Sequence, residues 1–420
     1  MAFPNLSYKV QLQHWLKILA FLLILSSCTS APSGKASPTP TPKATPRPFI
    51  DTWNNIHLFQ TFDYGISDPA AVARHYDFVW GANLENVKAW HLGNPHIFVT
   101  YYIPFQIDWG TFPDPNTRHG LAYWKKVHPD WILYQCDRTT PAYDKEETPL
   151  NFADPAFASW EIETYAKPAS QAGYDGIAVD NLTLGNRYHA CGVYIHGKWV
   201  KLYTGQYDDP VWRANIIGWL ARMQQALHNL PHPLALIPNT DFNVLSPSDP
   251  QFQQLVNHVD GILDEGGFTN YGSNYYLTGG DWTQRIQIMI NTQKQHKPYF
   301  VISLFPAVSH EQIQWALASY LMGKDHTASL FVSTPDGYGS DVLYAEYNAQ
   351  IGTPLGPMYH VQHVYFRSYS HGLSIANPSA TTTYRVKLDT SHSYRDLYGN
   401  AVNQIVTLPP HSGLVLLYSS

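Results

Sequence analysis

Between residues 57 and 333 the chain alternates short, uniformly apolar runs with longer stretches of helical period. The runs are His57–Phe62, Phe78–Ala82, Ile97–Tyr102, Gly176–Asp180, Leu234–Pro238, Gly261–Asp264, Tyr299–Leu304 and Ala328–Ser333. Apolar residues occupy both parities of each run, which marks strands covered on both faces, as in a parallel sheet. Helical spacing lies between them: Phe157, Trp160, Ile162, Tyr165 and Ala169 in 155–172, Trp212, Ile216, Trp219, Leu220 and Met223 in 210–227, and Ile313, Leu317 and Leu321 in 310–322. Eight strand–helix repeats over this length predict an α/β fold, a (β/α)8 TIM barrel. A doubly wound sheet is the runner-up, but no Gly-rich phosphate fingerprint follows the first run.

Beyond residue 356 the pattern changes. Tyr384, Val386 and Leu388 alternate with Arg385 and Lys387, and turn sequences stand at Asn377-Pro-Ser, Tyr398-Gly-Asn and Pro409–Gly413. Short alternating strands with frequent turns predict a small C-terminal antiparallel β-sandwich over 356–420 after a barrel over 49–355.

The N-terminus carries a different message. Lys9 and Lys17 precede eight apolar residues, Ile18–Leu25, too few to span a bilayer but the length of a secretory h-region. Leu25-Ser-Ser-Cys28 follows and resembles a bacterial lipobox, in which the cysteine is diacylated. The expected signal peptide is 1–27. The lipidated Cys28 and a Pro/Thr-rich tether fill 28–48, which places the protein on the bacterial surface or in the periplasm, bound to the membrane through the lipid alone. A plain signal peptide with a chance cysteine is the alternative. Cys136 and Cys191 remain and can pair in an oxidising exterior, or stand as two buried thiols.

Composition narrows the partners. The formal charge is −6, yet the first 48 residues hold five bases and no acid, so the rest has 21 bases against 32 acids, a net −11. That sign opposes counterion release from phosphate backbones and argues against nucleic-acid binding. Aromatics make 14% and charged residues only 14%, a balance suited to stacking a neutral, hydroxylated ligand.

Two runs repeat one pattern. Asp175-Gly-Ile-Ala-Val-Asp180 and Asp260-Gly-Ile-Leu-Asp-Glu265 each place a carboxylate five residues after Asp-Gly-Ile. Strand side chains alternate, so Asp180 shares a face with Ala178 and Glu265 with Leu263, at matching heights. Barrel chemistry sits at the C-terminal strand ends. One ionised and one protonated carboxyl there are the equipment for glycosidic cleavage. The bland alternatives are a helix N-cap for Asp180, and an inward Asp264 with Glu265 as a loop charge. Asp175 and Asp260, at strand starts, are expected to be structural. Asp63, Trp80, Tyr101, Asn181, Asn239 and Asp241 are further mouth candidates, as hydrogen-bonding or ring-stacking substrate contacts; Asn181 is expected to orient Asp180.

The run Asn151-Phe-Ala-Asp-Pro, Trp160 and Gly173–Asn181, together with His128–Tyr134 and the tail segments Gly372–Pro378, Tyr394–Gly399 and Leu408–Leu417, resembles hypothetical glycosyl hydrolase family fifteen. The aspartate of the fourth strand also resembles the nucleophile of α-galactosidase-like barrels. By that resemblance Asp180 is the nucleophile and Glu265 the acid/base of a glycoside hydrolase, with retention expected. No His-Glu-x-x-His helix, zinc-type cysteine spacing or Gly-x-Ser-x-Gly elbow is present. No metal or cofactor is therefore expected; His310 and His326 read as surface residues, and the chain as a monomer acting on carbohydrate. The rival reading is a non-catalytic carbohydrate-binding surface lipoprotein.

Overall fold

The computed structural model describes residues 45–419 apart from 54, 143–146, 241–245 and 273–275. The signal peptide, Cys28, most of the tether and Asp241 lie outside the described residues. Eight parallel strands form the barrel: β1 (Phe59–Thr61), β2 (Phe78–Trp80), β3 (Phe98–Pro104), β4 (Gly176–Leu182), β5 (Ala235–Thr240), β6 (Ile262–Asp264), β7 (Tyr299–Leu304) and β8 (Ala328–Ser333). They are hydrogen-bonded in chain order, and a parallel bridge between Leu58 and Leu330 closes the ring. Each of the eight apolar runs supplies one strand.

The barrel interior is filled by rings on one side and small residues on the other. Phe59, Phe78, Phe98, Phe300 and Phe331 share a buried cluster with Ala178 and Ala235, and Phe78 and Phe300 stack with centroids 3.9 Å apart. The opposite parity, including Val79, Val99, Ile177 and Val179, packs outward beneath the helices. Phe49 crosses the N-terminal end of the barrel and stacks on Phe98 at 4.0 Å, so that end is plugged and the C-terminal end is left for chemistry.

Several helices begin with the same two-residue device. Asp68, Asp154, Asp209 and Asp249 are N-caps whose carboxylates accept the backbone N–H of the second or third helical residue, and in each the first helical residue is a proline. The cap satisfies an orphan donor, and the proline has no N–H to lose there. The helix predicted over 155–172 is continuous but contains a π turn at Ile162–Ala166, next to Pro168, which cannot donate to the preceding turn. The long loops after β3 and β4 meet in a three-stranded antiparallel sheet, Tyr134–Gln135, Ala190–Ile195 and Lys198–Lys201. A Cys136–Cys191 disulfide joins them, with Cα atoms 5.0 Å apart.

The C-terminal β-sandwich contains β9 (Tyr359–Val361), β10 (Val364–Tyr369), β11 (Gly372–Asn377), β12 (Tyr384–Lys387), β13 (Tyr394–Arg395), β14 (Ala401–Val402), β15 (Ile405–Leu408) and β16 (Ser412–Tyr418). One sheet has the order β9-β10-β11-β16-β13-β14 and the other pairs β12 with β15. Ile375 and Leu416 of the first meet Val386 and Leu408 of the second in one core. The other face of the larger sheet lies on the helix His310–Gly323. Contact there is so close that a Cβ on Gly413 would sit 2.4 Å from the Gln314 carbonyl oxygen. Arg367 donates to the carbonyls of Leu321 (2.9 Å) and Lys324 (2.6 Å), a cation placed where the helix ends.

Candidate active site

Asp180 stands near the end of β4 and Glu265 directly after β6, both half-buried. Parity puts them inside: Ala178 and Leu263, two residues earlier on each strand, belong to the interior cluster. Between these strands runs β5, whose Ile237 is also interior, so Asn239 points into the mouth. Its Nδ2 donates to Asp180 Oδ1 and to Glu265 Oε2, 2.8 Å to each. An ionised carboxylate can only accept and the Glu265 backbone N–H can only donate, so this amide is oriented by its neighbours. Its Oδ1 accepts from the Glu265 backbone N–H at 3.4 Å.

The outer oxygens of the pair have their own donors. Tyr102 OH donates to Asp180 Oδ2 at 2.7 Å, and Asn181 Nδ2 to the same oxygen at 3.2 Å. Asn181 has φ +58, and the register with β5 shifts between Val179 and Leu182. Arg187 donates to Asn181 Oδ1 at 3.0 Å. An arginine has no acceptor, so the Asn181 oxygen faces Arg187 and its NH2 faces Asp180. On the other side Tyr338 OH donates to Glu265 Oε1 at 3.0 Å.

Burial, then the nearby charge of Asp180, push the Glu265 carboxyl above the usual carboxylate range, against the opposing bonds from Asn239 and Tyr338. Burial and the Glu265 charge in turn push the Tyr338 phenol up, so it keeps the proton that it donates to Glu265. Neither Asp180 nor Glu265 is a helix cap or a solvated loop charge. Asp264 faces outward, fully buried, ion-paired with Arg285 and accepting from Tyr299 OH at 2.6 Å and Gly267 N at 2.9 Å. Gly267 has φ +49 and passes so close to the Ile302 carbonyl that no side chain fits.

Asp175 and Asp260 lie at the opposite end, as expected, and do the same job twice. Asp175 accepts from Val99 N (2.9 Å) and pairs with His91 (2.8 Å); Asp260 accepts from Leu236 N (2.9 Å) and pairs with His228 (2.8 Å). Each ties its strand to the preceding one.

Three of the remaining mouth candidates belong elsewhere. Asp63 is 1% exposed and accepts from Asn83 N, Asn86 Nδ2 and Trp90 Nε1 at 2.9–3.0 Å. Its oxygens are committed to the turn and helix that follow β2, and burial raises its pKa. Trp80 is packed inside the barrel among phenylalanines, 3% exposed, with no face free for a sugar. Tyr101 points out of the barrel and packs on Phe112 and Tyr174; its neighbour Tyr102 is the mouth residue. His310 and His326 are exposed and pair with Glu346 and Asp51, away from the carboxylate pair. Among the described residues no group of three or more His, Cys, Asp or Glu could hold a metal.

Comparison with known proteins bears on this arrangement. No curated protein sequence matches the chain. Among solved structures, the glycoside hydrolase domain of PelA from Pseudomonas aeruginosa matches at 15% identity and TM-score 0.41, covering 67% of this chain and 96% of that one. A β-L-arabinopyranosidase from Geobacillus stearothermophilus matches at 9% and 0.46, covering 90% and 96%. A maltogenic α-amylase, AmyB from Thermotoga neapolitana, matches at 11% and 0.47, covering 87% and 99%. These distant likenesses say nothing about substrate. A family model, in contrast, matches residues 91–373, a span that includes β3 to β8, both carboxylates and Asn239. The chain belongs to hypothetical glycosyl hydrolase family 15 and is a glycoside hydrolase.

Proposed function

We propose that the protein hydrolyses an O-glycosidic bond of an oligo- or polysaccharide with retention, Asp180 acting as nucleophile and Glu265 as acid/base. The observation that carries this reading is the shared amide of Asn239. Two oxygens each 2.8 Å from one nitrogen lie no more than about 5.6 Å apart. Retaining pairs stand about 5–5.5 Å apart, whereas inverting pairs need about 6.5–9.5 Å to admit a water.

The division of labour follows from the surroundings. Asp180 accepts from three side chains, Tyr102, Asn181 and Asn239, which fix its oxygens in one orientation for attack. Burial and the neighbouring charge make Glu265 hold its proton more tightly than an ordinary glutamic acid does. In the first step an Asp180 oxygen bonds to the anomeric carbon, the bond to the leaving oxygen breaks, and Glu265 gives that oxygen its proton. In the second, Glu265 takes a proton from water, the water oxygen bonds to the anomeric carbon, and Asp180 is released. Tyr102 and Tyr338 hold the two carboxylates in place.

A panel of aryl glycosides and polysaccharides, run with Asp180→Asn and Glu265→Gln, tests the assignment. Activity in the parent and its loss in Asp180→Asn on every substrate is the expected result; unchanged turnover in that variant overturns it. The lipobox-like Leu25-Ser-Ser-Cys28 supports anchoring of this enzyme to a bacterial membrane through Cys28.

A further inference from the structure

The C-terminal sandwich has a groove of about 530 Å³, well apart in sequence from the carboxylate pair. Three tyrosines of three strands converge on it: Tyr359 of β9, Tyr394 of β13 and Tyr418 of β16. The Tyr359 ring lies parallel to Phe366 beneath it, with centroids 5.6 Å apart and planes 10° apart. Its residue is nevertheless 45% exposed. That arrangement is a platform: one face is supported by the core and the other is open. Tyr418 is stacked by His392 at 4.1 Å and meets Tyr394 edge-on at 5.7 Å. Burial, then the neighbouring Tyr418 phenol and the Asp389 carboxylate, push the Tyr394 phenol up to about 12. The polar groups of the groove therefore crowd the same space as its rings.

The rim carries Lys387 and Asp389, both exposed, whose charges cancel. A groove without net charge does not select an ionic ligand. One with a supported ring face beside hydroxyl, carboxylate and ammonium groups suits a molecule that is apolar on its face and hydroxylated at its edge. We infer that this groove is a second, non-catalytic glycan-binding site, taking a neutral sugar chain on the Tyr359 ring with Asp389 and Lys387 bonding its hydroxyls. In a hydrolase acting on a polymer, such a site raises the effective concentration of chain near the barrel without touching the bond that breaks.

The inference rests on the glycoside hydrolase assignment only for the class of probe, and binding is read without turnover. Affinity electrophoresis of the full chain through gels containing starch, galactomannan or arabinoxylan measures it, with the Asp180→Asn variant used throughout so that no gel is digested. The expected result is retardation by at least one of these polymers. Adding Tyr359→Ala is expected to weaken it by about tenfold, the scale of one lost ring contact. Asp389→Ala, at an exposed position, is expected to weaken it as well, while the surface change Leu92→Ala leaves it as it was. Unaltered retardation in both Tyr359→Ala and Asp389→Ala, or no retardation of Asp180→Asn in any of the three gels, overturns the site. In active protein, Tyr359→Ala is expected to keep its kcat/KM on a small aryl glycoside; a matching loss there would show a general structural defect and also overturn it.

Discussion

Asp180 and Glu265 hang on the same nitrogen: Asn239 Nδ2 lies 2.8 Å from an oxygen of each. The amide offers one hydrogen to each carboxylate, so it sets their spacing and screens their repulsion at once. Removing it leaves two half-buried carboxyls with a donor missing between them.

Asn239→Ala is therefore expected to fold normally and to lose about 10²-fold in kcat, the usual cost of one aimed donor in an active site. Asn239→Asp should be worse, because it adds a third acceptor where the pair needs a donor. Steady-state kinetics with a thermal melt as control checks this; a loss confined to KM would contradict it.

Tyr338 offers a pH test. Its hydroxyl stabilises the charged form of Glu265 and so opposes the upward push of burial. Tyr338→Phe removes that bond and raises the Glu265 pKa further. The alkaline limb of kcat/KM reports loss of the acid's proton and should move up by roughly 0.5–1 pH unit. A limb that stays put, or moves down, counts against Glu265 as the proton donor.

Much of this was legible in the sequence, for a physical reason. A strand covered on both faces has to be apolar at both parities, so the eight runs were visible without any alignment. The repeated Asp-Gly-Ile then gave two strands a common ruler, and five residues along it lay both carboxylates. What failed was parity where no ruler existed. Tyr101 and Tyr102 are adjacent and alike, and only pairing fixes the face: Tyr102 lies opposite Ala178, which is interior. Counting back from Asp180 through that register would have chosen Tyr102. Asp63 sits just past β1, where a partner search in one dimension cannot see Asn83, Asn86 and Trp90 closing on it. Tyr338 comes from an irregular loop after β8 and left no periodic signal at all.

A buried carboxyl outside the mouth gives a stability prediction. Glu161 is 1% exposed and accepts from Trp219 Nε1 at 2.8 Å. Burial pushes its pKa from 4.5 up to about 8. Across that window the folded chain keeps a proton that the unfolded chain has lost, so this residue's contribution to stability falls as pH rises from 4.5 towards 8. Glu161→Gln keeps an acceptor for Trp219 and cannot ionise. Melting curves should show it more stable than the parent at pH 8 by at least about 1 kcal/mol, roughly 2 °C, with the advantage shrinking towards pH 4. An advantage independent of pH would refute the buried, protonated state.

For the anchor, Cys28→Ala is the decisive substitution. Fractionation of cells producing it should find the protein released from the membrane, because the acyl chains have no attachment point. Retention in the membrane fraction at the parent's level would exclude lipidation at Cys28.

The central claim is that Asp180 attacks the sugar while Glu265 handles the proton. An aryl glycoside with a strongly activated leaving group needs little protonation in the first step, whereas the second step still needs a base. In Glu265→Ala the glycosyl-enzyme should therefore accumulate. Peptide mapping by mass spectrometry after mixing this variant with such a substrate is the most direct measurement. The account predicts one glycosyl residue attached to the peptide carrying Asp180, removed by added azide as a glycosyl azide of retained configuration. Turnover of the substrate with no adduct, or an adduct on a different carboxylate, would contradict it.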